Sequence, residues 1–167
     1  MGSHIIVILA HVSRDLSPTV NALRHIVRAI RLSSHAAETR LGISGAQLFV
    51  LQQLAESPAA SLNELAARTL TDQSSVSVVV SRLVRRGLVA RRASDGDARR
   101  VELSQTARGR ALLRSAPELA QTRLVTALKK VPARDLRTVR RVLEAVARDL
   151  GAGGEPPVMF FERESKR

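Results

Sequence analysis

The sequence predicts a mainly α-helical chain carrying one small β-hairpin, and three observations between residues 71 and 110 predict it. First, Val76, Val79, Val80 and Leu83 recur at i, i+3, i+4 and i+7, which at roughly 100° per residue forms one apolar stripe of a helix. Valine favours strands, but strict alternation fails at Val79-Val80 while the helical template accommodates every apolar position. Second, Gly87 stops that helix, and Leu88 to Arg92 and Arg99 to Leu103 read as two extended runs joined by residues 93 to 98, where Asp95-Gly96 is a strong turn signal. Third, the segment is basic. From Arg82 to Arg110 there are nine arginines against three acids, a surplus of six, which is half of the chain's net charge of +12.

The outer face of that helix carries Ser74, Ser77, Val78, Ser81 and Arg85, with Gln73, Ser75 and Arg82 beside them. Short polar groups let a helix approach base edges, and arginines reach phosphates. The competing reading is an ordinary solvated helix face, and the concentration of charge weighs against it.

Length and composition narrow the rest. A chain of 167 residues fits one domain with a real core. A net charge of +12 points to a polyanion, nucleic acid or an anionic membrane surface. No apolar run is long enough to span a bilayer, and Ile5 to Val12 is short and lacks a basic leader or cleavage site, so the expectation is a soluble cytoplasmic protein with no membrane partner. Without cysteine there is no disulfide, thiolate switch or cysteine-rich zinc site. With no Trp, no Tyr and three Phe, the chain lacks the aromatic platforms on which single strands stack, which favours duplex DNA.

In chain order, residues 1 to 17 form an N-terminal extension whose first four residues look like a cloning remnant; Ile5 to Val12 is read as packing on a partner surface. Ser17-Pro18 reads as a cap with proline at the first helical position, opening a helix to about Arg40 in which Val20, Leu23, Val27 and Ile30 repeat with helical spacing. Ser44-Gly45-Ala46-Gln47 is a capping box with Ile43 and Leu48 as its staple, and the helix it opens is broken at Ser57-Pro58. Ser61 to Glu64 is a second capping box, and Thr71 or Asp72 caps the basic helix one short turn after this one ends near Leu70. Two helices so joined, the second polar outside, make a helix-turn-helix, and the hairpin makes it winged. Ser104 is expected to cap a long helix that Pro117 kinks or breaks before it resumes to about Lys130. After Pro132, the positions Leu136, Val139, Leu143, Val146 and Leu150 form a coiled-coil-like seam that needs another helix to face, which predicts a homodimer. Residues 151 to 167 are a C-terminal tail in which Phe160-Phe161 is expected to pack on a neighbour.

From about Val20 to Leu150 the chain resembles the multiple antibiotic resistance regulator (MarR) family. The likeness is carried by Arg82-Leu83, Arg86-Gly87-Leu88-Val89, Asp97-x-Arg99, and Leu103-Ser104 followed by Gly109, with a spacing to Gly109 slightly longer than the commonest family form. The resemblance implies a dimeric winged helix-turn-helix regulator occupying residues 18 to 150. Its dimerisation helices would come from residues 18–40 and 104–150, with a DNA-binding lobe at residues 44–103. It also implies a wing whose Arg99 or Arg100 reaches the minor groove or its phosphates, with Asp97 bracing the loop, and a small aromatic or phenolic acid effector between the lobes. For that effector Arg24, Arg28 and His35 are the candidate contacts, beside an apolar dimer cleft.

The function expected from these residues is a sequence-specific duplex-DNA-binding transcriptional regulator, a ligand-responsive repressor, with no cofactor and no metal. A sequence-indifferent architectural DNA protein is the alternative that charge alone would equally suit. An enzyme is not expected, because no paired carboxylates, nucleophile motif, phosphate loop or metal-ligand spacing occurs and the four histidines are scattered.

Overall fold

The computed structural model describes residues 2–59, 61–94, 97–152 and 159–160, with side chains described from residue 16 onward except at 93–101. Among the described residues, seven helices and one hairpin follow in the order α1 (Gly2–Leu41), α2 (Gly45–Glu56), α3 (Leu62–Thr69), α4 (Gln73–Arg85), β1 (Val89–Ser94), β2 (Asp97–Gln105), α5 (Ala107–Leu113), α6 (Ala120–Lys129) and α7 (Ala133–Asp149).

The core lies in the lobe from α2 to β2. Leu48 and Leu51 of α2, Leu65 of α3, the whole stripe Val76, Val79, Val80 and Leu83 of α4, Leu88 just before β1 and Leu103 of β2 are all essentially sealed from solvent. Each such side chain contributes on the order of 1.5–3 kcal/mol by burial. The α2 capping box forms as its sequence predicts: Gln47 N donates to Ser44 Oγ at 3.1 Å and Ser44 N to Gln47 Oε1 at 3.3 Å. Ser34 of α1 adds a hydroxyl acceptor for Gly45 N at 3.2 Å, fixing α1 to the start of α2.

Two expectations are corrected. Helix α1 does not begin at Ser17-Pro18; it runs unbroken from Gly2 to Leu41 with Pro18 inside it. Proline's fixed φ of about −65° suits a helix, so here it costs a backbone hydrogen bond without ending the element. The hairpin strands are longer than the expected runs Leu88 to Arg92 and Arg99 to Leu103, with Leu88 itself just before β1, and Ser104 is a strand residue opposite Ala90. The cap of the next helix is Thr106, whose Oγ1 accepts from Gly109 N at 3.0 Å and donates to Gly87 O at 2.7 Å. The spacing from cap to glycine is therefore an ordinary first helical turn, and the extra length before Gly109 is strand. As expected from Pro117, the helix breaks: α5 ends at Leu113, residues 114–119 are non-helical, and helix resumes as α6 (Ala120–Lys129), whose first amide, Ala120 N, is met by Ser33 Oγ of α1 at 2.9 Å.

One pairing was invisible in sequence. Ala59, just after α2, exchanges two backbone hydrogen bonds with Leu103, at 2.9 and 2.7 Å, giving the wing a third extended neighbour and tying it to the helical lobe.

Candidate nucleic-acid interface

Helices α3 and α4 are joined by Leu70, Thr71 and Asp72. Leu70 takes the left-handed conformation (φ 54°), and Thr71 N returns to Ala66 O at 3.1 Å, which closes α3 and redirects the chain. Asp72 caps α4. Its carboxylate accepts from the Ser74 hydroxyl, from the Ser75 hydroxyl at 2.6 Å and from Ser75 N at 2.9 Å. Those donors, Ser74 first, hold the Asp72 carboxyl well below the usual carboxylate range, so the cap is an anion wherever the protein is folded near neutrality.

With the valine stripe buried, the opposite side of α4 is fixed. Ser74, Val78, Ser81 and Arg85 stand exposed along it, Val78 by 45%, with Gln73 exposed at the start. Ser75, Ser77 and Arg82 are half-buried on the flanks, and Ser75 is built into the cap. The result is a ridge with hydroxyls and one aliphatic group on its first turns and a cation on its last. Such a ridge suits a major groove: hydroxyls accept or donate to base edges or phosphates, and an aliphatic group can meet a thymine methyl.

The structure sorts the arginines that charge counting pooled. Arg86, after α4, donates Nη1 to Gly42 O at 2.6 Å, and Arg110 donates to Gln105 O at 3.0 Å, so both brace the lobe. Arg85, Arg91, Arg92 and Arg108 are exposed. Arg91 and Arg92 lie on β1 opposite Leu103 and Glu102, and sequence reading counted them without singling them out. Asp97, Arg99 and Arg100 belong to β2, but their side chains, like the Asp95-Gly96 turn, lie outside what is described.

Among the described residues, the seam on α7 is left exposed. Leu136, Val139, Leu143 and Val146 are 38–46% exposed, Leu150 is 78% exposed, and no residue of α7 is buried. Helix α1 likewise buries Ile30 but exposes Leu23 and Val27, which with Val20 and Leu32 line an open groove of about 630 Å³. Arg24 and Arg28 border this groove, and Arg24 donates to Asn21 Oδ1 at 2.9 Å. His35 is exposed and is not part of its lining. Near the C-terminus Met159 is buried in the core and Phe160 half exposed, while Phe161 lies outside the described residues.

Comparison with known proteins follows the same outline. Residues 41–100 match the family model described as MarR family. HTH-type transcriptional repressors of Mycobacterium tuberculosis and Mycobacterium bovis are each 30% identical over 135 residues, covering 81% of this chain and 97% of theirs. Among solved structures, wild-type MarR from E. coli in its apo form aligns with a TM-score of 0.52 at 26% identity, over 75% of this chain and 95% of that one. The transcriptional regulator BldR from Sulfolobus solfataricus shares the fold, with a TM-score of 0.53 at 24% identity over 84% and 96% of the two chains.

Proposed function

The chain belongs to the MarR family, and from that premise we propose that it is a sequence-specific, duplex-DNA-binding transcriptional repressor. The observation that carries this reading is the exposed ridge Ser74, Val78, Ser81 and Arg85 on a helix whose other side is locked into the core, next to a hairpin with Arg91 and Arg92 exposed. The architectural alternative is not favoured, because the relatives over nearly their full length are named as transcriptional repressors.

The repressor acts as a homodimer, with the α7 seam and the exposed side of α1 as the surfaces that pair. It works by binding rather than by catalysing a reaction, and it does so in the cytoplasm; among the described residues no helix is long and apolar enough to cross a membrane. A small aromatic or phenolic acid releases it from DNA, its ring in the α1 groove and its carboxylate toward Arg24 and Arg28.

Sequencing the fragments that the purified protein selects from its own genome tests the reading. A recurrent inverted repeat with half-sites about one helical turn apart is expected; fragments without a shared motif would contradict it.

A further inference from the structure

Arg68 stands on the last turn of α3, off the ridge of α4, and its guanidinium is used inside the chain. Nη1 donates to Ser57 O at 2.7 Å and Nη2 to Pro58 O at 2.9 Å, while Glu64, one turn earlier on the same helix, pairs with Nη2 and steers the fork. Those two carbonyls belong to the stretch that leaves α2. Ser57 is the extended C-cap of that helix, and Pro58 has no N–H with which to anchor itself. The next residue, Ala59, is fully buried and exchanges backbone hydrogen bonds with Leu103 of β2, which lies opposite Arg91 in the hairpin. A continuous chain of contacts therefore runs from α3 through Arg68, residues 57–59 and Leu103 to the wing strand that carries Arg91 and Arg92.

We propose that Arg68 is a positioning residue for the wing: it sets the angle at which the hairpin's cations meet DNA, without touching DNA itself. Its contacts join the helix before the ridge to the base of the hairpin rather than two parts of the core. A hairpin is a lever, so a small rotation at its Leu103 base is magnified toward its tip. The two hydrogen bonds to Ser57 and Pro58 lie at the surface, where water can replace the guanidinium, so the fold tolerates its loss while the wing's direction is released. The site calls for arginine by shape, because one planar fork reaches two carbonyls and a carboxylate, whereas a lysine ammonium is a single point charge. The effect on DNA rests on the repressor reading; the tether itself does not.

The test is amide hydrogen exchange in the full, DNA-free protein, followed by duplex binding as a function of salt. In Arg68→Ala the Ala59 and Leu103 amides should exchange at least about tenfold faster, a scale set by the loss of charge-assisted hydrogen bonds, while the Val79 and Val80 amides of α4 are unchanged. The same variant should weaken all duplexes nearly equally and lower the slope of log affinity against log salt by about one, leaving the preference for the operator as in the wild type. Arg68→Lys should behave like Arg68→Ala. A lysine variant with the wild-type slope would make Arg68 a phosphate contact and overturn the positioning role. Unchanged exchange at Ala59 and Leu103 would overturn the tether, and equal acceleration throughout α4 would reduce the effect to a general loss of stability and overturn it too. Faster exchange at the bridge with an unaltered slope would overturn the link to DNA. A wild-type protein that binds no duplex would refute the repressor reading, and the exchange result would still decide the tether.

Discussion

A Cβ added to Gly109 would lie 2.3 Å from the carbonyl oxygen of Leu88. The first turn of α5 is thereby seated directly on the turn that leads from the basic helix into β1, and Thr106 fastens the same corner by donating to Gly87 O. The obstruction is backbone, which cannot swing aside. Gly109→Ala is therefore expected to destabilise the fold by about 1–3 kcal/mol, read as a lowered urea midpoint with an unchanged slope.

The α7 seam predicts a change of assembly. Leu143 is 46% exposed in the single chain, amid Val139, Val142 and Val146, which are 42%, 51% and 46% exposed. A carboxylate there would be buried against a second copy without a partner. Leu143→Asp should abolish the dimer in sedimentation experiments, and operator binding with it, while the circular dichroism of the lobe persists. A wild-type protein that sediments as a monomer at micromolar concentration would refute the seam.

The cap of α4 predicts a dependence on acid. Hydrogen bonds from Ser74 and Ser75 depress the Asp72 carboxyl from its ordinary 3.8 in the folded state. A depressed folded value means the linked stability is fully present above the unfolded value and is lost as pH falls from about 4 toward the folded one. Asp72→Asn retains a capping oxygen without that titration. The wild type should exceed this variant in urea midpoint at pH 5, and the gap should narrow steadily as pH drops below 4. A constant gap would show that the carboxylate is not held as described.

These elements differ in how readable they were. The stripe Val76, Val79, Val80 and Leu83 and the Ser44–Gln47 box were legible because their partners lie within two turns of the same helix. Local sequence misplaced the α5 cap: Ser104 and Thr106 are both good caps, and what keeps Ser104 in the strand is the pairing of Ala90 with it and of Ala59 with Leu103, a contact 44 residues apart. Pro18 misled in the opposite direction, since a first-turn signal is also compatible with an interior position. Of the arginines, charge counting found the surface but could not divide bracing Arg86 from exposed Arg85, because the division depends on Gly42 lying beside one of them.

That division is testable through salt. Arg85 is exposed on the last turn of the ridge, where a cation meets a phosphate. Arg85→Ala should weaken all duplex sequences nearly equally and reduce the slope of log affinity against log salt by about one. An unchanged slope would place Arg85 off the DNA.

Val78 is expected to contribute sequence preference rather than raw affinity. As the aliphatic group at the centre of a hydroxyl-bearing ridge, it can favour only a thymine methyl among base edges. Val78→Ala should cost about 1 kcal/mol or less on the selected operator. Uracil in place of the contacted thymine should cost the wild type a similar amount and the variant nothing; equal losses in both proteins would show that Val78 does not read the base.

The central claim, that this ridge chooses a DNA sequence, is tested most directly by the ratio of affinities for the selected operator and for an unrelated duplex of equal length at physiological salt. A regulator of this kind should prefer its operator by about a thousandfold or more, and a ratio near one would contradict the account.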